Sequence, residues 1–206
     1  ALRDQITAAG VEVVDVLTGR EWQPPVSAVA ITEHGRAVIS MNAVRSSAAA
    51  VPEGALDGCG ALLVDGHHLA LCIDAATVAR LAGIPVLLDG GSWKPGLERL
   101  IPLVDAAVLS ADFAPPEPVD WGSRPVAVTH GHHDIHFRQG AEQGPVEVRP
   151  VAAGQTLGAG DVFHGAWLAH VGRFGLDDFA GGLRFATRIA TLSCRFPGAH
   201  DWAEHL

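Results

Sequence analysis

Between Gln155 and Trp167 the chain reads Gln-Thr-Leu-Gly-Ala-Gly-Asp-Val-Phe-His-Gly-Ala-Trp. It passes within a few residues from a polar, glycine-bearing loop to an apolar pattern of helical period. One carboxylate, Asp161, stands at the junction, directly after Gly158, Ala159 and Gly160. The first turn of a helix carries backbone N–H groups without intrahelical acceptors, and the helix dipole adds partial positive charge there. Gly158 and Gly160 lack a Cβ, so a ligand can come close to those N–H groups. Such a site suits an oxyanion, a phosphate best of all. The same dipole favours the anionic form of Asp161, which an acceptor of a hydroxyl proton requires. On these letters alone, a tight turn with an aspartate cap is the commoner account of the pattern.

The elements that would position this stretch alternate in type. Ala61 to Val64 reads as a short buried strand ending at Asp65-Gly66, and Leu69 to Ala82 as a helix stopped by Gly83. Pro85 to Leu88 is the next strand, ending at Asp89-Gly90-Gly91-Ser92; Pro95 to Leu103 is helical in pattern, and Asp105 to Leu109 is a third strand ending at Ser110. Unbroken apolar strands separated by helices predict a parallel sheet covered on both faces. Ligands of such sheets sit beyond the carboxyl ends of the strands, where Asp65, Asp89 and Ser110 should gather. Prolines 115, 116 and 118 exclude a regular helix over 112–122. Val126 to Thr129, Ile135 to Phe137 and Val146 to Val148 read as later, partly antiparallel strands. Ala159 to Val171 and Asp177 to Arg195 read as two long helices, the second capped by Asp177-Asp178. Towards the N-terminus, Leu2 to Ala9 predicts a short helix and Val11 to Leu17 a strand. Arg20 to Pro25 predicts a connection, Val26 to Thr32 with Arg36 to Met41 a hairpin about Glu33-His34-Gly35, and Asn42 to Gly58 a polar loop with room for a short helix.

The 206 residues suit one domain, and 48% apolar with 18% charged residues describes a chain with a sizeable core. Fourteen basic against 23 acidic residues give a formal net charge of −9, which argues against a general nucleic-acid or membrane-surface binder. A polyanionic nucleotide would then have to be held by local donors such as a helix terminus. No apolar run approaches the ~20 residues of a membrane span. The first residues lack a secretory apolar region. Cys59, Cys72 and Cys194, odd in number and without a Cys-x-x-Cys pair, read as reduced, mostly buried thiols, consistent with a cytoplasmic protein.

Thr156 to Ala166 closely resembles the second signature of the PfkB (ribokinase-like) carbohydrate kinases, which read Asp-Thr-x-Gly-Ala-Gly-Asp followed by a Gly-Ala-bearing helix. Other stretches fit the same family in order. Residues 85–96 resemble its central strand and loop, and 104–114 the next strand and its Asn-x-x-Glu segment. Val126 to Gly131 resembles the strand and loop near the nucleotide phosphates, and 185–198 the helix and loop flanking adenine. The resemblance implies a three-layer α/β/α fold with a mostly parallel sheet and a small β lid, the lid here incomplete and near the hairpin of 26–41. It implies ATP-dependent transfer of the γ-phosphate to a hydroxyl of a sugar or related small molecule. Asp161 would be the base, and Gly158, Ala159 and Gly160 the anion hole. Thr129, Gly131, Gly160, Ala186 and Gly198 would face ATP. Asp65 would join Asp161 at the substrate, and Asp89 and Asp112 would serve Mg2+. A monovalent cation and a lid-mediated homodimer also belong to what the resemblance implies.

Several positions depart from the family pattern. Family chains are longer, and their first strand, much of the lid and an early Gly-Gly-x-x-Asn sugar motif have no counterpart here, so the chain is expected to begin partway through the fold. Gln155 stands where Asp is usual beside the cation site, Phe113 in place of the Glu of Asn-x-x-Glu, and Asp134 in place of a frequent Gly. His130, His132, His133 and His136 permit either a metal site or a polar turn; adjacent imidazoles on an extended segment point to opposite sides, which favours the turn. His67-His68 could touch substrate or solvent, and His164 suits packing or capping better than proton transfer. Trp93, Trp121, Trp167 and Trp202 are spread as packing residues are, and Cys194 fits a small buried one. Two other functions stay open: a nucleoside or vitamin kinase of the same fold, and a non-catalytic nucleotide binder.

Overall fold

In the computed structural model, residues 2–16, 26–32, 35–40, 50–152, 155–198 and 200–206 are described. The expectations for 20–25, for the turn residues 33–34 and for 42–49 lie outside them. The first element is helix α1 (Leu2–Ala8), which ends at Gly10 with φ +82°. Strands β1 (Ser27–Thr32) and β2 (Gly35–Ser40) form an antiparallel hairpin in which Thr32 faces Gly35.

The main sheet has six strands in the order β3 (Leu62–Val64), β4 (Val86–Gly90), β5 (Ala106–Ser110), β6 (Val126–His130), β7 (His133–Gln139) and β8 (Glu142–Val146). The first four are parallel, and β7 and β8 are antiparallel additions. Helix α2 (Leu69–Leu81) crosses from β3 to β4, and the short α3 (Leu97–Leu100) with a 3-10 turn (Ile101–Leu103) crosses from β4 to β5. Helices α4 (Ala159–Phe174) and α5 (Phe179–Ser193) follow the sheet.

Strand alternation explains the layering. Leu87, Ala106, Val108 and Ala127 face α4 and α5, where Phe163, Trp167, Phe179 and Leu183 are buried against them. Their neighbours Val86, Leu88, Ala107 and Leu109 face the opposite side and pack with Ala76, Ala79, Leu97 and Leu100. A strand buried on both faces carries apolar residues at every position, which is why these strands read as unbroken runs. Asp178 caps α5, its Oδ1 accepting from Gly181 N–H at 2.8 Å. This is the ribokinase-like α/β/α arrangement expected from the sequence.

Four local expectations are corrected. Residues 11–16 are not a strand: no described strand pairs with them, and Val11 and Val14 stay exposed. The last strand covers Glu142–Val146 rather than 146–148, because Val148 N–H bonds to Asp134 Oδ1 at 3.0 Å instead of continuing the ladder. The helical stretch expected over 95–103 is one α turn followed by a 3-10 turn that starts at Ile101 and contains Pro102. Cys59 is exposed, against the expectation of mostly buried thiols, whereas Cys72 is buried and Cys194 half-buried.

One contact ties the lead into β3 to α4. A Cβ on Gly60 would lie 2.4 Å from Gly172 O, a backbone atom that cannot swing aside. Gly60→Ala is therefore expected to destabilise the fold by about 1–3 kcal/mol, read from urea denaturation midpoints at unchanged m-value.

Candidate active site

Helix α4 begins where a left-handed residue turns the chain. Gly158 has φ +80° and is followed by Ala159 as the first helical residue. No side chain caps this end. Ala159 N–H reaches Thr156 O at 3.3 Å, and Val162 N–H bonds to Gly158 O at 2.9 Å. The N–H groups of Gly160 and Asp161 have no acceptor among the described residues. The donor set at the helix mouth is thus centred on Gly160 and Asp161 rather than on Ala159. A Cβ on Gly160 would meet nothing within 4 Å, so the space in front of that residue is open. Asp161 lies in the first turn and is exposed. Both it and Gly160 stand in the first turn of α4 rather than in its middle, and neither is part of the core.

The carboxyl ends of β3 and β4 converge on the same region. Asp89 is close enough to Asp65 and Asp161 that both carboxylates raise its pKa. Burial is the largest cause of that rise, and the nearby His164 and Lys94 act against it. Asp65 Oδ1 accepts from His67 N–H at 2.9 Å, and its Oδ2 lies 2.8 Å from His67 Nδ1. Lys94 Nζ donates to Asp65 O at 3.1 Å and to Ser92 O at 3.4 Å. It is the chain's only lysine. Sequence reasoning passed over it, although it stands in the loop that follows β4. His164 is 7% exposed and joins α4 to the sheet: its Nδ1 is 2.8 Å from Gly160 O and 3.3 Å from Asp89 Oδ2.

Other expected residues fall differently. Thr129 is half-buried and its Oγ1 donates to Leu109 O at 3.3 Å; Gly131, φ +64°, forms the turn beyond β6, at the same edge of the sheet. Gly198 N–H bonds to Asp201 Oδ2 at 3.1 Å. Ala186 is corrected: it is 0% exposed on the inner face of α5, in the core with Leu183, and cannot touch a nucleotide. Asp112 lies exposed in the turn after β5, with its N–H bonded to Ser110 Oγ at 3.2 Å, and none of its described contacts reaches Asp89. Phe113 packs edge-on against Trp93, with centroids 5.7 Å apart. His130, His132, His133, Asp134 and His136 line an open concavity of about 550 Å³ at the β6–β7 turn.

Among the described residues, no group of three His, Cys, Asp or Glu side chains could hold a metal by itself. Magnesium at nucleotide sites needs less, taking one or two carboxylates together with phosphate oxygens. The neighbouring carboxylates of Asp89 and Asp65 are oxygen donors of that kind, so the residues present fit such an ion.

No protein-family model matches the chain. Among solved structures it is similar to a presumed ribokinase from Agrobacterium tumefaciens, at 25% identity and TM-score 0.71, over 87% of this chain and 64% of that one. A Burkholderia thailandensis nucleoside kinase in complex with inosine matches at 16% identity and TM-score 0.71, over 98% of this chain and 72% of that one. A presumed ribokinase II from E. coli in complex with ATP and Mg2+ matches at 22% and TM-score 0.64, over 84% and 66%. The class is therefore set: the chain has the ribokinase-like fold, and its structural neighbours are kinases of the ribokinase/PfkB family. It spans about two thirds of the length of the structures it matches. No helix among the described residues is long and apolar enough to cross a membrane.

The raised pKa of Asp89 makes a stability prediction. Between its ordinary value of 3.8 and the raised one, the folded state keeps a proton that the unfolded state has lost. Stability should fall as pH rises through that window and stay lower above it. In metal-free buffer, Asp89→Asn is expected to melt at a higher temperature than wild type at neutral pH, with the difference vanishing as pH drops below the ordinary carboxylate range. Calorimetric melting temperatures across that range check it.

Proposed function

We propose that the chain is the phosphoryl-transfer part of an ATP-dependent kinase acting on a hydroxyl of a sugar or related small molecule. The observation that carries this reading is the open N–H pair of Gly160 and Asp161 at the start of α4, with the exposed Asp161 carboxylate beside it. Phosphoryl transfer asks the protein mainly for position and charge stabilisation. Asp161 accepts the proton of the attacking hydroxyl, held in line with the γ-phosphate. The N–H groups of Gly160 and Asp161 take the charge developing on the phosphoryl oxygens, where a single such donor is worth about 3–4 kcal/mol in other enzymes. Thr129 and Gly131 lie on the nucleotide side, with Gly198 at its far end. Asp65 faces the acceptor. Asp89, with Asp65 beside it, would hold Mg2+, which when bound offsets the charge of the nucleotide phosphates. Lys94 balances part of the carboxylate charge.

Residues 1–206 are read as one domain of this type, in a cytoplasmic protein able to pair as a homodimer. A nucleoside acceptor is the second reading, favoured by the similarity to a nucleoside kinase over 98% of this chain.

In the longest natural form of the chain, Asp161→Asn is expected to leave the nucleotide Kd within about threefold and to lower kcat by about 10²–10⁴, the range of a positioned base. An ADP-release assay over a panel of sugars and nucleosides measures this and names the acceptor. Turnover within about tenfold of wild type would remove Asp161 as the base, and absence of turnover with intact ATP binding would make the chain a nucleotide binder.

A further inference from the structure

His164 sits one turn into α4, buried between the rings of Phe163 and Trp167, and is used by no step above. Its Nδ1 lies 2.8 Å from Gly160 O and 3.3 Å from Asp89 Oδ2, and its Nε2 lies 3.4 Å from Val108 O on β5. A carbonyl oxygen only accepts, so Nδ1 carries the proton it gives to Gly160. The carbonyl of Gly160 and the N–H of Asp161 belong to one planar peptide unit. Fixing that oxygen therefore fixes the direction of the N–H proposed to meet the phosphoryl group. The same nitrogen steadies the Asp89 carboxylate at the end of β4.

We propose that His164 is a positioning residue that aligns both sides of the transfer site at once, the Gly160–Asp161 peptide on α4 and the Asp89 carboxylate on β4. The inference rests on the kinase reading for its catalytic consequence, but its structural part does not. It joins two elements far apart in sequence through one ring, so a loss at His164 should lower kcat through the donor and the Mg2+ response through the metal ligand.

The test uses the longest natural form of the chain and three variants. His164→Leu removes both bonds. His164→Asn places an amide nitrogen, attached to Cγ as Nδ1 is, where Nδ1 stood. His164→Gln moves that nitrogen one carbon out. With the leucine variant, kcat is expected to fall by about 10- to 100-fold, the usual effect of losing a group that orients a metal ligand. Titration calorimetry with a non-hydrolysable ATP analogue supplies a readout independent of turnover. The affinity without metal stays within about threefold of wild type, whereas the gain in affinity on adding Mg2+ shrinks by about tenfold. The asparagine variant is expected to restore both. If the leucine variant does not fold, as circular dichroism would show, the glutamine variant is expected to show the same losses.

Equal loss of metal-free and Mg2+-dependent affinity would mark a merely structural role and overturn the proposal. So would leucine, glutamine and asparagine variants that all behave alike. If wild type shows no turnover on any acceptor while the Mg2+ gain still responds to the leucine variant, the kinase reading fails and the alignment of Asp89 stands. If Asp161→Asn abolishes turnover and His164→Leu changes nothing, the kinase reading stands and this proposal fails. Absence of nucleotide binding by wild type removes both.

Discussion

The site depends on how α4 is docked. One face of this helix, carrying Phe163, Trp167 and Val171, is buried against the sheet. That burial decides where the other end of the helix axis points. With Gly158 in the left-handed conformation, the first turn starts beside the carboxyl end of β4, and the partial charge of the helix is delivered there. A helix mouth has some affinity for anions wherever it lies. Here the same packing that builds half of the core brings it to the acidic strand ends.

The strand ends carry a concentration of negative charge that folding alone would not select. Burial raises the cost of ionising Asp89, and the carboxylates of Asp65 and Asp161 add to it. Lys94 and His164 offset part of this, one from the loop after β4 and the other from inside α4. Carboxylates held together against their own repulsion are stable only because the surrounding packing fixes them, and such local conflict is characteristic of places where a protein binds or reacts. A cation arriving with a nucleotide would relieve it, which gives the acidic cluster a physical reason.

Similarity to solved kinases fixes the fold and no more, since one fold carries many chemistries. The departures from the family pattern have structural occupations of their own. Phe113 fills a gap against Trp93, and Asp134 anchors Val148 N–H at the end of β8. Both serve as packing or hydrogen-bonding residues.

Much of the frame was legible because its causes are local. Period and length gave β3 to β6 and both long helices, the Asp178 cap announced the start of α5, and glycines around a lone aspartate announced the start of α4. What failed needed a partner to exist. Residues 11–16 are rich in valine like a strand yet have no described neighbour to pair with, and β8, with Gly144 and Pro145, is a strand only because β7 supplies its ladder. Ala186 lay on the right helix but on its inward face, which the docking of α5 decides. His164 showed the same limit: its letters suggested packing or capping, and only the tertiary structure brought Asp89 and Val108, distant in sequence, to the same ring. Sequence alone determined which elements form and where a charged helix mouth begins, because backbone propensity and side-chain period act over a few residues. Tertiary structure alone decided which faces are buried and which carboxylates meet, because burial and Coulomb energy depend on distances that chain order does not set.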